Sequence, residues 1–425
     1  MSHLQDLGLR QQAAGVSDGS IDPAELLRAT LERIEERNPA LNAVVATFPE
    51  ESERMLAQAP EGPLHGVPIG IKDMFQLPWR GPRDGTENEH LPPGESYIYR
   101  RLRDAGAVIA GVTHTHWNGG GSTGLQAAYG PVHSAADPGH CGGGSSGGSG
   151  SSVGASMFAG AIGTDGGGSI RIPAAYNGIF GLKHTFGLPI DGYTHGYLSL
   201  VEAGPMCRSA SDARLLGEVI AGRSLEAGDG SKLRVGLPRF FWEDLDPEVE
   251  RGCRSLLDRS GWDLRAVDIE GAELSLMATV LLLTLEGVPS MHGDEPPDLV
   301  TEALVKYLML LPARAMPRAD RIRSLLRREA ARLFGEVDLL VWPTVPGPPP
   351  PVENPMVELP SGPHPADEVN VRLNGFGNLT GLPAASIPAG EKDGLPYGLM
   401  LQAAWGEDAR ILDAGEHLEA VDAYL

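Results

Sequence analysis

"CGGGSSGGSGSSVGA", residues 141–155, holds seven glycines and five serines in fifteen positions. Glycine loses more backbone freedom on folding than any other residue, and serine competes with its own backbone for hydrogen bonds. The composition therefore predicts neither helix nor strand. It fits a linker, a phosphate cradle or an active-site loop, and the rest of the chain must decide.

Two glycine-rich motifs fail on context. A phosphate-binding loop needs G-x-x-x-x-G-K-[ST], and no lysine follows a glycine cluster here in that way. A dinucleotide fingerprint needs a strand running into it, and "HSAADPGHCGG" is not one. "GGSSG", residues 143–147, matches the G-x-S-x-G nucleophile elbow, but that elbow also needs a preceding hydrophobic strand.

A second cluster is more informative. "GTDGGGSIRIP", from residue 163, follows the apolar stretch "FAGAI". Gly166, Gly167 and Gly168 present consecutive backbone N–H groups, a nest able to receive an oxyanion, and Ser169 follows directly. A serine beside such a cradle is a candidate acyl-transfer nucleophile; an ordinary glycine turn is the plainer alternative. Lysine usage adds a third signal. Only five of 34 basic residues are lysine, and Lys72 ends an apolar segment, "GVPIGIKDMF".

The totals narrow the class of function. The 425 residues are 41% hydrophobic and 21% charged, an ordinary globular balance. A formal net charge of −22 argues against nucleic-acid or membrane-surface binding. Cys141, Cys207 and Cys253 give no disulfide framework and no paired zinc spacing. His114, His116, His133 and His140 come without the acid-and-histidine spacing of a metalloenzyme, so no metal is expected. The N-terminus lacks an apolar signal core, and "LMATVLLLTLEG" is too short to span a bilayer, so the expected location is the cytoplasm.

Periodicity predicts an α/β chain with one mixed sheet. Asp22 caps an amphipathic helix that begins at Pro23. "GVPIGIKDMF" reads as a short buried strand ending at Lys72, and "YIYRRLRDAGAVIAGVTHT" as helix, glycine stop and strand. Beyond residue 232, "LRVGLPRFF", "WDLRAVDI", "DLLVWPTV", "AASIPAG" and "YGLMLQAAW" are strand candidates among helices. "VPGPPPPVENP" reads as a surface loop.

These segments, taken in order, resemble the amidase signature family. "GVPIGIKD" matches its lysine motif, "GGSSGGS" at 143–149 its serine pair, and "GTDGGGSIRIPA" at 163–174 its nucleophile motif. "GIFGLKHTFG", "DLLVWPTVP", "NLTGLPAASIPAG" and "GLPYGLMLQ" extend the likeness over nearly the whole chain. The resemblance implies one amidase domain over 1–425, with a helical segment at 1–60, the signature core at 61–205, a variable region at 206–330 and the rest of the sheet at 331–425. It implies a large mixed sheet covered by helices on both faces. It also implies a Ser–cis-Ser–Lys triad of Ser169, Ser145 and Lys72, with an oxyanion hole at Gly166, Gly167 and Gly168. Ser146, Asp165 and Arg171 fall at supporting positions. His116, Trp117 and Gly120 are candidates for the substrate pocket. The expected partner is a small amide, without cofactor, nucleic acid or membrane, and a homodimer is compatible with this reading. The amidase subunit of a glutamyl-tRNA amidotransferase and a non-enzymatic scaffold of the same fold are the alternatives. Departures from the family pattern are His184 in place of proline, Gly166 in place of a larger residue, "HTHWN" before the serine pair, and a short central region.

Overall fold

Strand pairing organises the chain. The computed structural model describes residues 4–189, 191, 192, 199–287, 302, 306, 307 and 309–421. Its strands are β1 (Val44–Thr47), β2 (Pro68–Lys72), β3 (Val108–Thr113), β4 (Gly160–Asp165), β5 (Phe180–Lys183), β6 (Glu202–Cys207), β7 (Arg234–Pro238), β8 (Asp263–Val267), β9 (Leu339–Pro343), β10 (Met356–Leu359), β11 (Gly362–Pro365), β12 (Ala384–Lys392) and β13 (Leu395–Gln402). Eleven of them form one sheet in the order β1-β3-β2-β4-β6-β5-β12-β13-β9-β7-β8. β2 runs parallel to β3 and β4, β7 runs parallel to β8 and β9, and the remaining neighbours are antiparallel. This is the mixed sheet that the alternation of elements predicted.

Strand alternation gives the sheet two buried faces. In β4, Ala161 packs with Val153, Ile170 and Ala174, whereas its neighbour Ile162 joins Leu9, Leu216 and Ile220 on the other side. Every residue of β2, β3, β4 and β6 is buried. That accounts for the apolar runs that lead to Lys72 in β2 and fill most of β3.

Several local predictions hold. The side chain of Asp22 accepts the amide of Ala24 and caps the helix Pro23–Leu41. β2 ends at Lys72. The helix Tyr97–Asp104 stops before Gly106, whose φ of +88° closes the turn into β3.

The glycine–serine stretch is the clearest correction. Residues Gly147–Gly154 form an α-helix, buried from Gly147 through Val153. Intrinsic propensity is overridden by packing. A Cβ on Gly148 would lie 2.2 Å from the amide nitrogen of His114 and 2.3 Å from the carbonyl of Ala43, so only glycine lets this helix press against β3. Its serines turn inward: Ser149 Oγ donates to the carbonyl of Ile162 at 3.0 Å and shares a 2.7 Å bond with Thr113 Oγ1. Among the elements that carried no sequence prediction are the helices Leu9–Ser17, Pro49–Gln58, Ala210–Ala221 and Ala366–Thr380 and the β10–β11 hairpin beyond the proline-rich loop.

Gly148→Ala should therefore lower the denaturation midpoint markedly. Overpacking of this kind costs about 1–3 kcal/mol. A urea titration followed by circular dichroism would measure it, and an unshifted midpoint would disprove the wedge.

Candidate active site

The parallel strands β2 and β4 end side by side, and the site lies at their carboxyl ends, where open α/β sheets leave a crevice. β2 delivers Lys72, which is fully buried. Its Nζ is hydrogen-bonded at 2.8 Å to Ser145 Oγ and at 2.8 Å to Thr164 Oγ1. Burial pushes this amine down to about 7, against the opposing pull of Asp84 and Asp165. The neighbouring carboxylate, Asp73, is engaged elsewhere. It forms an ion pair with Arg80 and accepts the Tyr129 hydroxyl at 3.3 Å and the Arg83 amide at 3.2 Å.

Ser145 follows a cis peptide bond, Gly144–Ser145. Its carbonyl accepts the amide of His116 at 3.0 Å. Ser146 ties this segment to β4 and to the next turn. Its Oγ donates to the Thr164 carbonyl at 3.0 Å and accepts the Thr164 amide at 3.1 Å, while its own amide donates to the Ser169 carbonyl at 3.1 Å.

The turn after β4 is built around Asp165. Burial acts to raise its pKa, but Arg171, then Lys183 and Asn378, outweigh burial and hold the carboxyl well below its usual range. Arg171 engages it bidentately, Nε to Oδ2 at 2.9 Å and Nη2 to Oδ1 at 3.0 Å, with both side chains fully buried. Asp165 also accepts the Gly168 amide at 2.7 Å and the Ile170 amide at 3.3 Å. Asn378 adds a bond at 3.0 Å to Asp165 Oδ1 and receives Arg171 Nη2 at 2.7 Å. Asp165 and Arg171 thus hold the shape of the turn that presents Ser169.

Ser145, Gly166, Gly167 and Ser169 line one cavity of about 110 Å³. Lys72 stands behind Ser145, so the structure brings the three expected triad residues to one place. The expected oxyanion hole needs one correction. The N–H of Gly168 is spent on Asp165, and Gly168 does not line the cavity. Its glycine identity serves the turn: φ is +120°, and a Cβ would stand 2.6 Å from that of Asn374. Gly166 and Gly167 line the cavity beside Ser169.

The pocket residues also need correction. Gly120 lines the cavity, but His116 and Trp117 do not. The His116 ring sits behind Gly121, where a Cβ would meet its Cε1 at 2.2 Å. The backbone amide of Trp117 donates to Gln126, and both His116 and Trp117 stay buried. Sequence reasoning missed Gly119, Gly121, Ser122, Ile172, Leu283, Asp367 and Val371, which also line the cavity. It also missed Asn370, Asn374 and Asn378. Their spacing of four residues was the available signal for a helix with one polar face, and all three are buried in the structure. Among the described residues, no group of three or more His, Cys, Asp or Glu could hold a metal ion, and no helix is long and apolar enough to cross a membrane.

Known proteins of similar sequence and structure identify the family. A family model for amidases matches residues 25–412. The chain is 32% identical to a glutamyl-tRNA(Gln) amidotransferase subunit from Methylococcus capsulatus, over 97% of this chain and 97% of that protein. It is 33% identical to an amidase of Pseudomonas putida, over 93% and 92% of the two chains. A crystal structure of an amidase superposes with a TM-score of 0.90 at 31% identity, covering 97% of this chain and 99% of the other. The family match spans residues 25–412, which include Lys72, the serine pair and the turn after β4: the chain belongs to the amidase signature family and is an enzyme that hydrolyses the C–N bond of amides.

Proposed function

We propose that this enzyme hydrolyses a small carboxylic amide through an acyl-enzyme, with Ser169 as nucleophile, Ser145 as proton relay and Lys72 as base. One observation carries the reading: a fully buried lysine amine lies 2.8 Å from Ser145 Oγ, and Ser145 shares a cavity with Ser169.

The steps follow from the chemistry of these groups. Neutral Lys72 accepts the Ser145 hydroxyl proton while Ser145 takes the proton of Ser169. Ser169 Oγ bonds to the amide carbon, and the carbonyl oxygen becomes an oxyanion beside the N–H groups of Gly166 and Gly167. As the C–N bond breaks, the relay returns the proton to the leaving nitrogen, which departs as ammonia or amine. Water then repeats the attack on the acyl-enzyme and releases the acid and free Ser169. The relay uses only side chains of this chain.

A second reading, the amidase component of a glutamyl-tRNA amidotransferase, is favoured by the relatives of that name at 32–33% identity. It predicts ammonia release from glutamine, dependent on partner proteins. The first reading predicts turnover of simple aliphatic or aryl amides by the isolated chain. Measuring ammonia from both kinds of substrate, with and without such partners, separates them.

Ser169→Ala should cut kcat by roughly 10⁴-fold or more with an unchanged melting curve, since losing a nucleophile costs on that order. Activity near that of the wild type would remove Ser169 from the mechanism.

Lys72 gives the pH dependence. The working form is deprotonated, so kcat/KM should rise tenfold per pH unit below about 7 and level off above it. Arginine keeps the positive charge at any working pH. Lys72→Arg should therefore be as inactive as Lys72→Ala, and an active Lys72→Arg enzyme would overturn the relay.

A further inference from the structure

The cavity beside Ser169 is mostly neutral. Gly119, Gly120 and Gly121 form one side, and Ile172, Leu283 and Val371 supply apolar surface. Among the described residues, Asp367 is the one charged side chain in its lining, and no arginine or lysine joins it there.

Asp367 is held in place. It lies in the first turn of the helix Ala366–Thr380, where the helix dipole favours a negative charge. Its Oδ1 accepts the backbone amide of Ser122, a cavity-wall residue. Ser122 Oγ reaches the Ala366 carbonyl at 3.4 Å, and Asn370 Nδ2 bonds Ser122 Oγ at 3.2 Å and the Tyr176 hydroxyl at 3.0 Å. The carboxylate is therefore anchored to the glycine wall, yet the residue remains exposed.

We propose that Asp367 determines the class of amide this site accepts: compact amides whose far end is cationic or uncharged, with carboxylate-bearing amides rejected. This deepens the amidase reading and rests on it. The size fits, because about 110 Å³ lies well below the ~300–1,000 Å³ of drug-sized ligand sites. The electrostatics fit as well. An anionic substrate would bring a second negative charge against Asp367 with no cation among the described lining residues to offset it, and like charges at close range repel. A cationic one would meet a fixed counter-charge, and the net charge of −22 favours its approach.

The test uses three amides of matched length: butyramide (neutral), 4-aminobutyramide (cationic) and succinamate (anionic). The wild-type kcat/KM should favour the cation over the anion by at least tenfold, and this ratio should shrink as salt rises. Asp367→Asn, which keeps an acceptor for Ser122, should collapse the ratio by tenfold or more. Calorimetric binding of the same amides to Ser169→Ala, with and without Asp367→Asn, reads the charge preference without turnover. If no amide is hydrolysed but the binding preference holds, the triad reading fails and the assignment to Asp367 survives. A preference for succinamate, or a cation-to-anion ratio unchanged in Asp367→Asn, overturns it.

Discussion

A primary amine kept out of water is the constraint on which the rest of this structure depends. Lysine normally carries its charge well above neutral pH, and desolvation is what brings the Lys72 amine down to about 7. That burial requires β2 to be covered on both faces and the serine loop to close over its end. The helix Gly147–Gly154 does the closing, and it fits there because Gly148 has no side chain to hold it away from β3. The arrangement works against stability. A base with a lowered folded pKa binds fewer protons in the folded state than in the unfolded one, so folding grows more favourable as pH rises from about 7 toward 10.5. Below that window the full penalty of the buried amine is felt, and the fold carries it at the position where the chemistry is proposed.

The second anchor is the Asp165–Arg171 pair, which offsets its own burial through geometry. A buried ion pair is stabilising only when its remaining hydrogen-bonding capacity is filled. Here Arg171 also reaches the Asn374 carbonyl at 3.1 Å and Asn378 Oδ1 at 2.7 Å, while Asp165 takes two backbone amides of the turn that carries Ser169. Removing either partner would strand a buried charge, at a cost of about 3–5 kcal/mol. The pair thereby couples three segments distant in sequence: the end of β4, the short helix that follows Ser169, and the asparagine-lined helix Ala366–Thr380.

How much of this was legible in the sequence depended on whether the signal was local. β2 could be read from an apolar run ending in a lysine, and the helix after Asp22 from its cap and stripe. Lys72, Ser145 and Ser169 could be named because their motifs are contiguous. The helix Gly147–Gly154 could not be read, because what stabilises it is contact with His114 and Ala43, far away in sequence. The same holds for Gly168, whose N–H looks available in a glycine run but is drawn inward by Asp165. His116 and Trp117 precede the serine pair in sequence, yet both lie beyond the end of β3, at the short 3₁₀ turn Trp117–Gly119, and are buried away from the cavity lining. Asp367 lies 198 residues beyond Ser169 in sequence, and only the sheet order brings it to the cavity.

Departures from the family pattern fall where the fold can absorb them. At the end of β5, His184 Nδ1 lies 3.0 Å from Asp408 Oδ1, and Asp408 also takes the Thr185 amide at 2.9 Å, its hydroxyl at 2.7 Å and Arg223 Nη2 at 2.8 Å. That exchange links β5 to the helix Asp408–Val421, away from Ser169. Gly166 is a different case. A Cβ there would touch only Leu283 at 3.6 Å and Val201 at 4.0 Å, ordinary contact distances, so sterics do not demand glycine. A side chain at 166 would instead project toward Leu283, the opposite wall of the cavity. Glycine at this position therefore leaves that part of the cavity open. The chain thus fixes Lys72, Ser145 and Ser169 through buried charge and close backbone packing, while the departure at Gly166 falls on the cavity lining and the one at His184 on the end of β5.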